Sequence, residues 1–213
     1  MSAQEQSRLY QLLSTKSGLT GKSLPPETVE LLEQYYGLVL KWNPILHLTT
    51  LTKPVEFVQR HFAESAFVTE HLASNAAHVF DLGSGLGVPG IPLSILRPTL
   101  PVTLVEANHR KAVFLEEVVD RLRLKQIRVQ ASRLEALQHL PENTVLTARA
   151  IDKMTALLPQ ILRLSAIASQ TLLLGGEDMS NAIAQHLPKF LQLQQIQLFG
   201  SDARYLFILQ RST

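Results

Sequence analysis

From Ala77 onward the chain alternates short apolar runs with stretches of helical period. Between the first run and the first helix lies VFDLGSGLGVPGIPLSI, residues 79–95, with four glycines and two prolines. Strand–helix alternation needs long crossover connections, so it calls for a parallel sheet with helices on both faces. The patterning predicts strands near 77–82, 102–106, 127–130, 144–149 and 170–174, and helices near 87–96, 109–123, 133–138 and 153–168. The tail differs: FLQLQQIQLFG and RYLFILQR, joined by the polar GSDA, are strand-like runs close to hairpin spacing, which predicts a last strand returning antiparallel. Residues 76–213 therefore read as a doubly wound α/β domain.

The first 75 residues read as an all-helical extension packed on that domain. Residues 4–14 and 27–42 carry apolar side chains at helical spacing, the second set being Val29, Leu31, Leu32, Tyr35, Tyr36, Val39 and Leu40. LPPET supplies prolines where a first turn tolerates them and an acid near the positive end of the dipole. One or two further helices are expected from Pro54.

Composition narrows the function classes. A chain of 213 residues with 46% hydrophobic and 18% charged residues can bury one substantial core. No apolar run approaches the roughly 20 residues that cross a bilayer, and MSAQEQSRLYQLL lacks the pattern of a signal peptide. A cytoplasmic enzyme or binding protein without a membrane partner is expected. With no cysteine there is no disulfide or thiolate chemistry, and the seven histidines form no HxxxH or HxH pair, so no metal site is expected. Net charge is only +2, but Asn108 to Arg133 holds seven basic residues against three acids, a local +4 in a chain whose remainder sums to −2. Such a run is either a solvated helix face or a track for phosphates.

Gly85, Gly87 and Gly90 satisfy G-x-G-x-x-G after a strand and before a helix, the fingerprint of dinucleotide sites. Two features favour a different adenosine ligand. Pro89 and Pro92 remove N–H groups from the first turn, where a pyrophosphate would need them. Asp81 would repel a diphosphate yet suit the ammonium of an amino-acid moiety, and S-adenosylmethionine carries such a group and no phosphate. Glu106, closing the second strand 25 residues beyond Asp81, can accept hydrogen bonds from both ribose hydroxyls in either class of site. Alternatively, Asp81 caps the following turn and Glu106 is an ordinary strand end.

The sequence resembles the RsmG (GidB) family of bacterial 16S ribosomal RNA guanine-N7 methyltransferases. The resemblance rests on KWNPILHLTT (41–50), RHFAES (60–65), DLGSGLGVPGIPLSI (81–95), VEANHRKAVFLEEV (105–118), ASRLEAL (131–137) and ARA (148–150). It implies a class I S-adenosylmethionine-dependent methyltransferase fold, Rossmann-like, with a mostly parallel seven-stranded sheet. It also implies methyl transfer to N7 of one guanine in 16S rRNA, free or in the small ribosomal subunit, by a protein taken as a monomer. By motif, Gly83, Gly85 and Val88 would serve the methionine end, Glu106 the ribose, and Leu134 and Glu135 the adenine region, with Asp81 and Ala107 also counted among the cofactor-binding residues; Arg149 would face cofactor and target base. His47 stands where the family has asparagine in W-N-x-x-x-N-L-T, Glu106 where it has aspartate, and Leu174 where relatives commonly carry lysine.

Guanine N7 has a free lone pair, so its methylation needs no general base and catalysis falls to positioning. Arg149 and Arg133 are the positioning candidates, because a cation should meet O6, phosphate or ribose while N7 stays free. Arg60 and Lys111, with Arg133, are candidates for RNA contact. His47 is expected to form a hydrogen-bonded link between the helical piece and the α/β domain. Three rivals remain: a nicotinamide-dependent oxidoreductase, a non-catalytic RNA-binding relative, and a methyltransferase of a small molecule.

Overall fold

The computed structural model describes residues 11–13, 24–149, 154–198 and 203–211. Its elements are α1 (Pro26–Leu46), α2 (Pro54–Phe57), a π-helical stretch (Val58–Ala63), α3 (Glu64–Glu70), β1 (His78–Leu82), α4 (Gly90–Leu96), β2 (Val102–Glu106) and α5 (His109–Arg121). They continue with β3 (Ile127–Ala131), a 3-10 turn (Leu134–Ala136), β4 (Thr144–Arg149), α6 (Met154–Ser165), β5 (Gln170–Gly175), α7 (Glu177–His186), β6 (Leu191–Gln197) and β7 (Tyr205–Arg211). The seven strands form one sheet in the order β3-β2-β1-β4-β5-β7-β6. β7 enters between β5 and β6 and runs antiparallel to both, while β1 to β5 pair in parallel.

The period-2 alternation of the strands sorts their side chains onto two faces. Val79, Val102, Leu104, Val145, Leu172, Leu174, Leu206 and Ile208 face one core with α1 and α5 residues such as Tyr35, Val39, Phe114 and Leu115. Phe80, Leu82, Val105, Leu146, Ala148, Leu173 and Phe207 face the other, with Leu158, Ile161, Met179 and Ile183 of α6 and α7. β2, β4 and β5 are buried along their whole length, which is why they read as unbroken apolar runs. β6, at the edge, packs Leu191 and Leu193 on one face and Ile196 on the other, and turns its glutamines to solvent.

Several expectations change in detail. The helix expected near 133–138 is a single 3-10 turn; Leu134 and Leu137 are both buried, a spacing that three residues per turn accommodates. α7 is an addition to the elements expected from the sequence pattern. Of the helix expected over 4–14, only residues 11–13 lie within the described region, and they are helical. α1 continues through Pro44, which cannot donate the i→i−4 bond to Leu40 O, and stops at His47. His47 holds φ 48°, ψ 51° and its N–H reaches Asn43 O at 2.9 Å. Asparagine and histidine adopt this left-handed conformation more readily than most residues. Its side chain is exposed, so His47 is a backbone stop for α1 rather than the expected side-chain link.

That link is made by neighbours. Asn43 Oδ1 accepts from Thr49 N and Asn43 Nδ2 donates to Thr49 O, both at 2.9 Å. Tyr35, fully buried, donates from its hydroxyl to Leu86 O at 2.7 Å. Trp42 Nε1 and Lys41 Nζ both reach the Glu117 carboxylate of α5 at 3.0 Å, and the Trp42 ring meets Phe114 edge-on.

Candidate cofactor and substrate site

Strand order reverses between β1 and β4, with crossovers to one side covering one face and those to the other side the opposite face. In such sheets the crevice outside the carboxyl ends at the reversal is where ligands bind. Asp81 and Leu82 of β1 pair with Thr147 and Ala148 of β4, so the glycine loop leaves the sheet beside Arg149.

The loop folds by hydrogen bonds to its own frame. Ser84 N donates to Val105 O at 3.0 Å, Ser84 Oγ to Asp81 O at 2.8 Å, and Gly87 N to Ser84 O at 2.7 Å. Gly85 and Gly87 have φ of 58° and 98°. At Gly87 a Cβ would stand 2.6 Å from Ile91 Cδ1, whereas at Gly85 it would meet only Gly83 O at 3.7 Å. Gly87 is thus a packing requirement, and Gly85 leaves the loop open on its outer side.

Glu106 supplies the opposite wall. Its Oε2 accepts from Gly85 N at 2.8 Å and its Oε1 from Asn108 N at 2.7 Å. A carboxylate has about four acceptor directions, so two further donors, such as vicinal hydroxyls, can be satisfied without breaking these bonds. Ala107 is exposed beside it, and Asn108 caps α5 by accepting from Lys111 N at 3.2 Å.

Asp81 sits beneath the loop, without solvent exposure. Its Oδ1 accepts from Thr147 Oγ1 at 3.0 Å and its Oδ2 from Gly90 N at 3.3 Å. Burial raises its carboxyl to about 7, against the opposing pull of the bonds from Thr147, Ser84 and Gly90. The capping role left open in the sequence is therefore present. It also means that the first turn of α4, a diphosphate's usual seat, is already answered by a carboxylate.

Arg149 ends β4 with its side chain only 5% exposed. Its Nη1 donates to His61 Nδ1 and its Nε lies 3.2 Å from Glu64 Oε2. A guanidinium carries only donors, so His61 Nδ1 must be bare, and Nε2 carries the proton it donates to Thr49 Oγ1 at 3.0 Å. Burial, then the charges of Arg149, Arg60 and Arg204, hold His61 neutral by lowering it to about 2. Glu64 also receives two bonds of 2.9 Å from Arg204 and lies 3.1 Å from Arg60 Nε. A chain of contacts thus runs from Asn43 and Thr49 through His61 to Arg149, Glu64 and Arg204. Of these, the sequence reading singled out Arg149 and Arg60. The Arg60–Glu64 spacing of four was visible, but Arg204 lies 140 residues from Glu64 and left no local signal.

The remaining candidates divide. Leu134 is buried, its carbonyl accepting from Arg163, while Glu135 and Arg133 are exposed after β3. Val88 is buried in the loop and Gly83 opens it with φ 64°. The basic run splits into two groups. Arg110, Lys111 and Arg133 lie at the carboxyl edge of the sheet, whereas Arg121, Arg123 and Lys125 lie at or beyond the far end of α5, a 13-residue helix about 20 Å long. Arg121 is moreover paired with Glu117, and Arg128 with Thr103. A +4 segment in sequence is therefore not one patch in space.

The model of the family GidB, rRNA small subunit methyltransferase G, matches residues 28–203. The ribosomal RNA small subunit methyltransferase G of Xanthomonas oryzae pv. oryzae (strain MAFF 311018) is 35% identical over 205 residues, 92% of each chain. The protein of the same name from Xanthomonas axonopodis pv. citri is 42% identical over 141 residues, 66% of each. Among solved structures, a precorrin-6y C5,15-methyltransferase from Geobacter metallireducens superposes with a TM-score of 0.56 at 15% identity, covering 78% of this chain and 91% of that one. That likeness is one of fold, the Rossmann-like class I methyltransferase architecture. With a family match running from α1 through β6 and a relative aligned along nearly the whole chain, this protein belongs to the GidB family, rRNA small subunit methyltransferase G.

Proposed function

We propose that this chain transfers a methyl group from S-adenosylmethionine to N7 of a guanine in 16S rRNA, working in the cytoplasm as a monomer. The observation that carries the reading is the Glu106 carboxylate, held by Gly85 N–H and Asn108 N–H at the carboxyl edge with acceptor capacity left over. The open outer side of Gly85 fits an adenosine ligand against the backbone. The buried Asp81, which occupies the start of α4, favours a cationic amino-acid ligand over a diphosphate.

When bound, the cofactor supplies an electrophilic methyl on sulfonium. The residues of the chain have the task of holding acceptor and donor in line. Glu106 would fix the ribose and the loop from Gly83 to Val88 the methionine end, with Leu134 and Glu135 bordering the adenine. Arg149, immobilised by His61 and Glu64, would orient the base through O6 or a neighbouring phosphate and leave N7 exposed. No proton has to leave N7, so the unprotonated and shielded His61 need not act as a base. Positioning of this kind contributes through effective molarity. The guanine would leave its stack to enter the crevice, with Lys111, Arg133 and Arg60 meeting backbone around it.

Incubation with methyl-labelled cofactor and either naked 16S rRNA or assembled small subunits tests the proposal, with strand scission at N7-methylguanine locating the product. Label at a single guanine in one of the two substrates is expected. No incorporation into either, together with binding of NADH, would contradict it.

A further inference from the structure

Three guanidiniums converge on one carboxylate at the rim of this crevice. Glu64 is 8% exposed; around it stand Arg149, Arg204 and Arg60 with side-chain exposures of 5%, 16% and 41%. Glu64 Oε1 accepts from Arg204 Nε and lies 3.1 Å from Arg60 Nε, and Oε2 accepts from Arg204 Nη2 and lies 3.2 Å from Arg149 Nε, so one carboxylate faces all three guanidiniums. His61, the other titratable group in direct contact, is neutral. Among the described residues, the cluster therefore holds three positive charges against one negative.

The geometry repeats this imbalance. Arg149 Nε and Arg60 Nε are shielded from solvent and lie near Glu64 without an aligned hydrogen bond. Each guanidinium has five donors, and the described residues engage only a few of the fifteen. Partly buried cations without counter-charge are costly, and a neighbouring anion relieves that cost. Burial lowers Arg149 to about 10, with the charges of Arg204 and Arg60 pushing the same way, which still leaves it charged at neutral pH. Arginine forks match the oxygens of a phosphate two at a time. Arg60 is the open side of the cluster, and Arg149 roots it one residue beyond the Leu82–Ala148 pair, next to the glycine loop.

We propose that Arg60, Arg149 and Arg204, gathered on Glu64, form a phosphate subsite that holds a phosphodiester next to the nucleotide entering the crevice. The inference rests on the reading of RNA as substrate and adds where a phosphate docks and that Arg204, near the carboxyl end of the chain, contributes to it. Glu64 acts as a positioning residue that holds the forks apart from one another and aims them together.

The test uses the full chain saturated with S-adenosylhomocysteine and compares Arg60→Gln and Arg60→Lys with the wild type. Arg60 is the most exposed member, so its replacement leaves the buried pairs in place, and unchanged melting temperature and S-adenosylhomocysteine affinity check this. Two probes are titrated: inorganic phosphate, followed by 31P NMR, and a short single-stranded RNA containing guanine, followed across a salt series. Arg60→Gln should weaken RNA binding about tenfold near 0.1 M salt and lower the salt slope by about one. Arg60→Lys should recover most of the affinity, since lysine still binds phosphate as a point charge. Saturable phosphate binding in the wild type should vanish in Arg60→Gln. RNA affinity and slope equal to wild type in Arg60→Gln would overturn the subsite even if rRNA is methylated. Phosphate binding that depends on Arg60 in a protein that methylates no rRNA would uphold the subsite and refute the functional reading instead.

Discussion

The Tyr35 hydroxyl donates to Leu86 O at 2.7 Å, joining the middle of α1 to the tip of the glycine loop across 51 residues. Tyr35 is fully buried, and burial pushes its hydroxyl well above the ordinary range, so it keeps the proton it donates at neutral pH. The helical piece thereby braces the loop proposed to hold the cofactor.

Tyr35→Phe removes that bond and leaves the Leu86 carbonyl unanswered, at a cost of about 1–3 kcal/mol. The melting temperature should fall, and S-adenosylmethionine should bind several-fold more weakly because the loop loses its outer support. Calorimetry showing lower stability with unaltered affinity would mean that the loop holds its shape without α1.

Gly85→Asp would place a carboxylate on the open side of the loop, at φ 58°. Aspartate tolerates this backbone better than most residues, so the protein should fold while losing cofactor affinity by about a hundredfold, roughly 3 kcal/mol. Gly87→Ala should do the reverse, because its Cβ would strike Ile91; a lower melting temperature is expected. Equal cofactor affinity in Gly85→Asp would remove the ligand from this loop.

Asp81 and His61 make opposite contributions to the pH dependence of stability. Asp81 titrates near 7 in the fold against 3.8 otherwise, so the native state holds the extra proton between about pH 4 and 7 and this residue makes stability fall as pH rises through that window. His61 titrates near 2 against 6.5, so the unfolded state holds the extra proton and stability rises with pH over that range, complete above about 6.5. The two oppose each other from about pH 4 to 6.5, so each is read as a difference. Asp81→Asn should gain stability relative to wild type as pH rises towards 8, and His61→Gln should gain as pH falls below 6. Parallel melting curves across pH 4–8 for wild type and both variants would contradict these assignments. An ammonium near Asp81 would also favour its ionised form, so S-adenosylmethionine affinity should increase from pH 6 to 7.5 in wild type and not in Asp81→Asn.

Glu64→Ala would strand Arg149 among Arg60 and Arg204 without its carboxylate. Removing one partner of a buried pair costs about 3–5 kcal/mol, so a large drop in melting temperature is expected. Glu64→Gln keeps the shape and should retain part of the stability. If Glu64→Ala melts like the wild type, the cluster is not held as described.

Much of this molecule is legible in its sequence for definite reasons. The inner strands are apolar without interruption because both faces are covered, and DLGSGLGVPG marks the turn that only glycine can make. Residues 177–186 hid a helix because only Met179 and Ile183 of EDMSNAIAQH face the core, too few for a period to emerge. His47 resembled a polar linker, but its backbone angles give it its place. The basic run from Asn108 to Arg133 looks continuous because sequence distance hides that α5 carries Arg121, Arg123 and Lys125 to the opposite edge of the sheet from Arg110, Lys111 and Arg133. The Glu64–Arg204 pair depends on β7 returning beside β5, which no local pattern encodes.

The central claim is that the crevice walled by Glu106 and the glycine loop takes S-adenosylmethionine and not a dinucleotide. Titration of the wild type and Glu106→Ala with S-adenosylmethionine and with NADH, followed by calorimetry, tests it most directly. The account predicts saturable binding of S-adenosylmethionine, weakened at least tenfold in Glu106→Ala, and no heat from NADH; NADH binding that depends on Glu106, with none for S-adenosylmethionine, would contradict it.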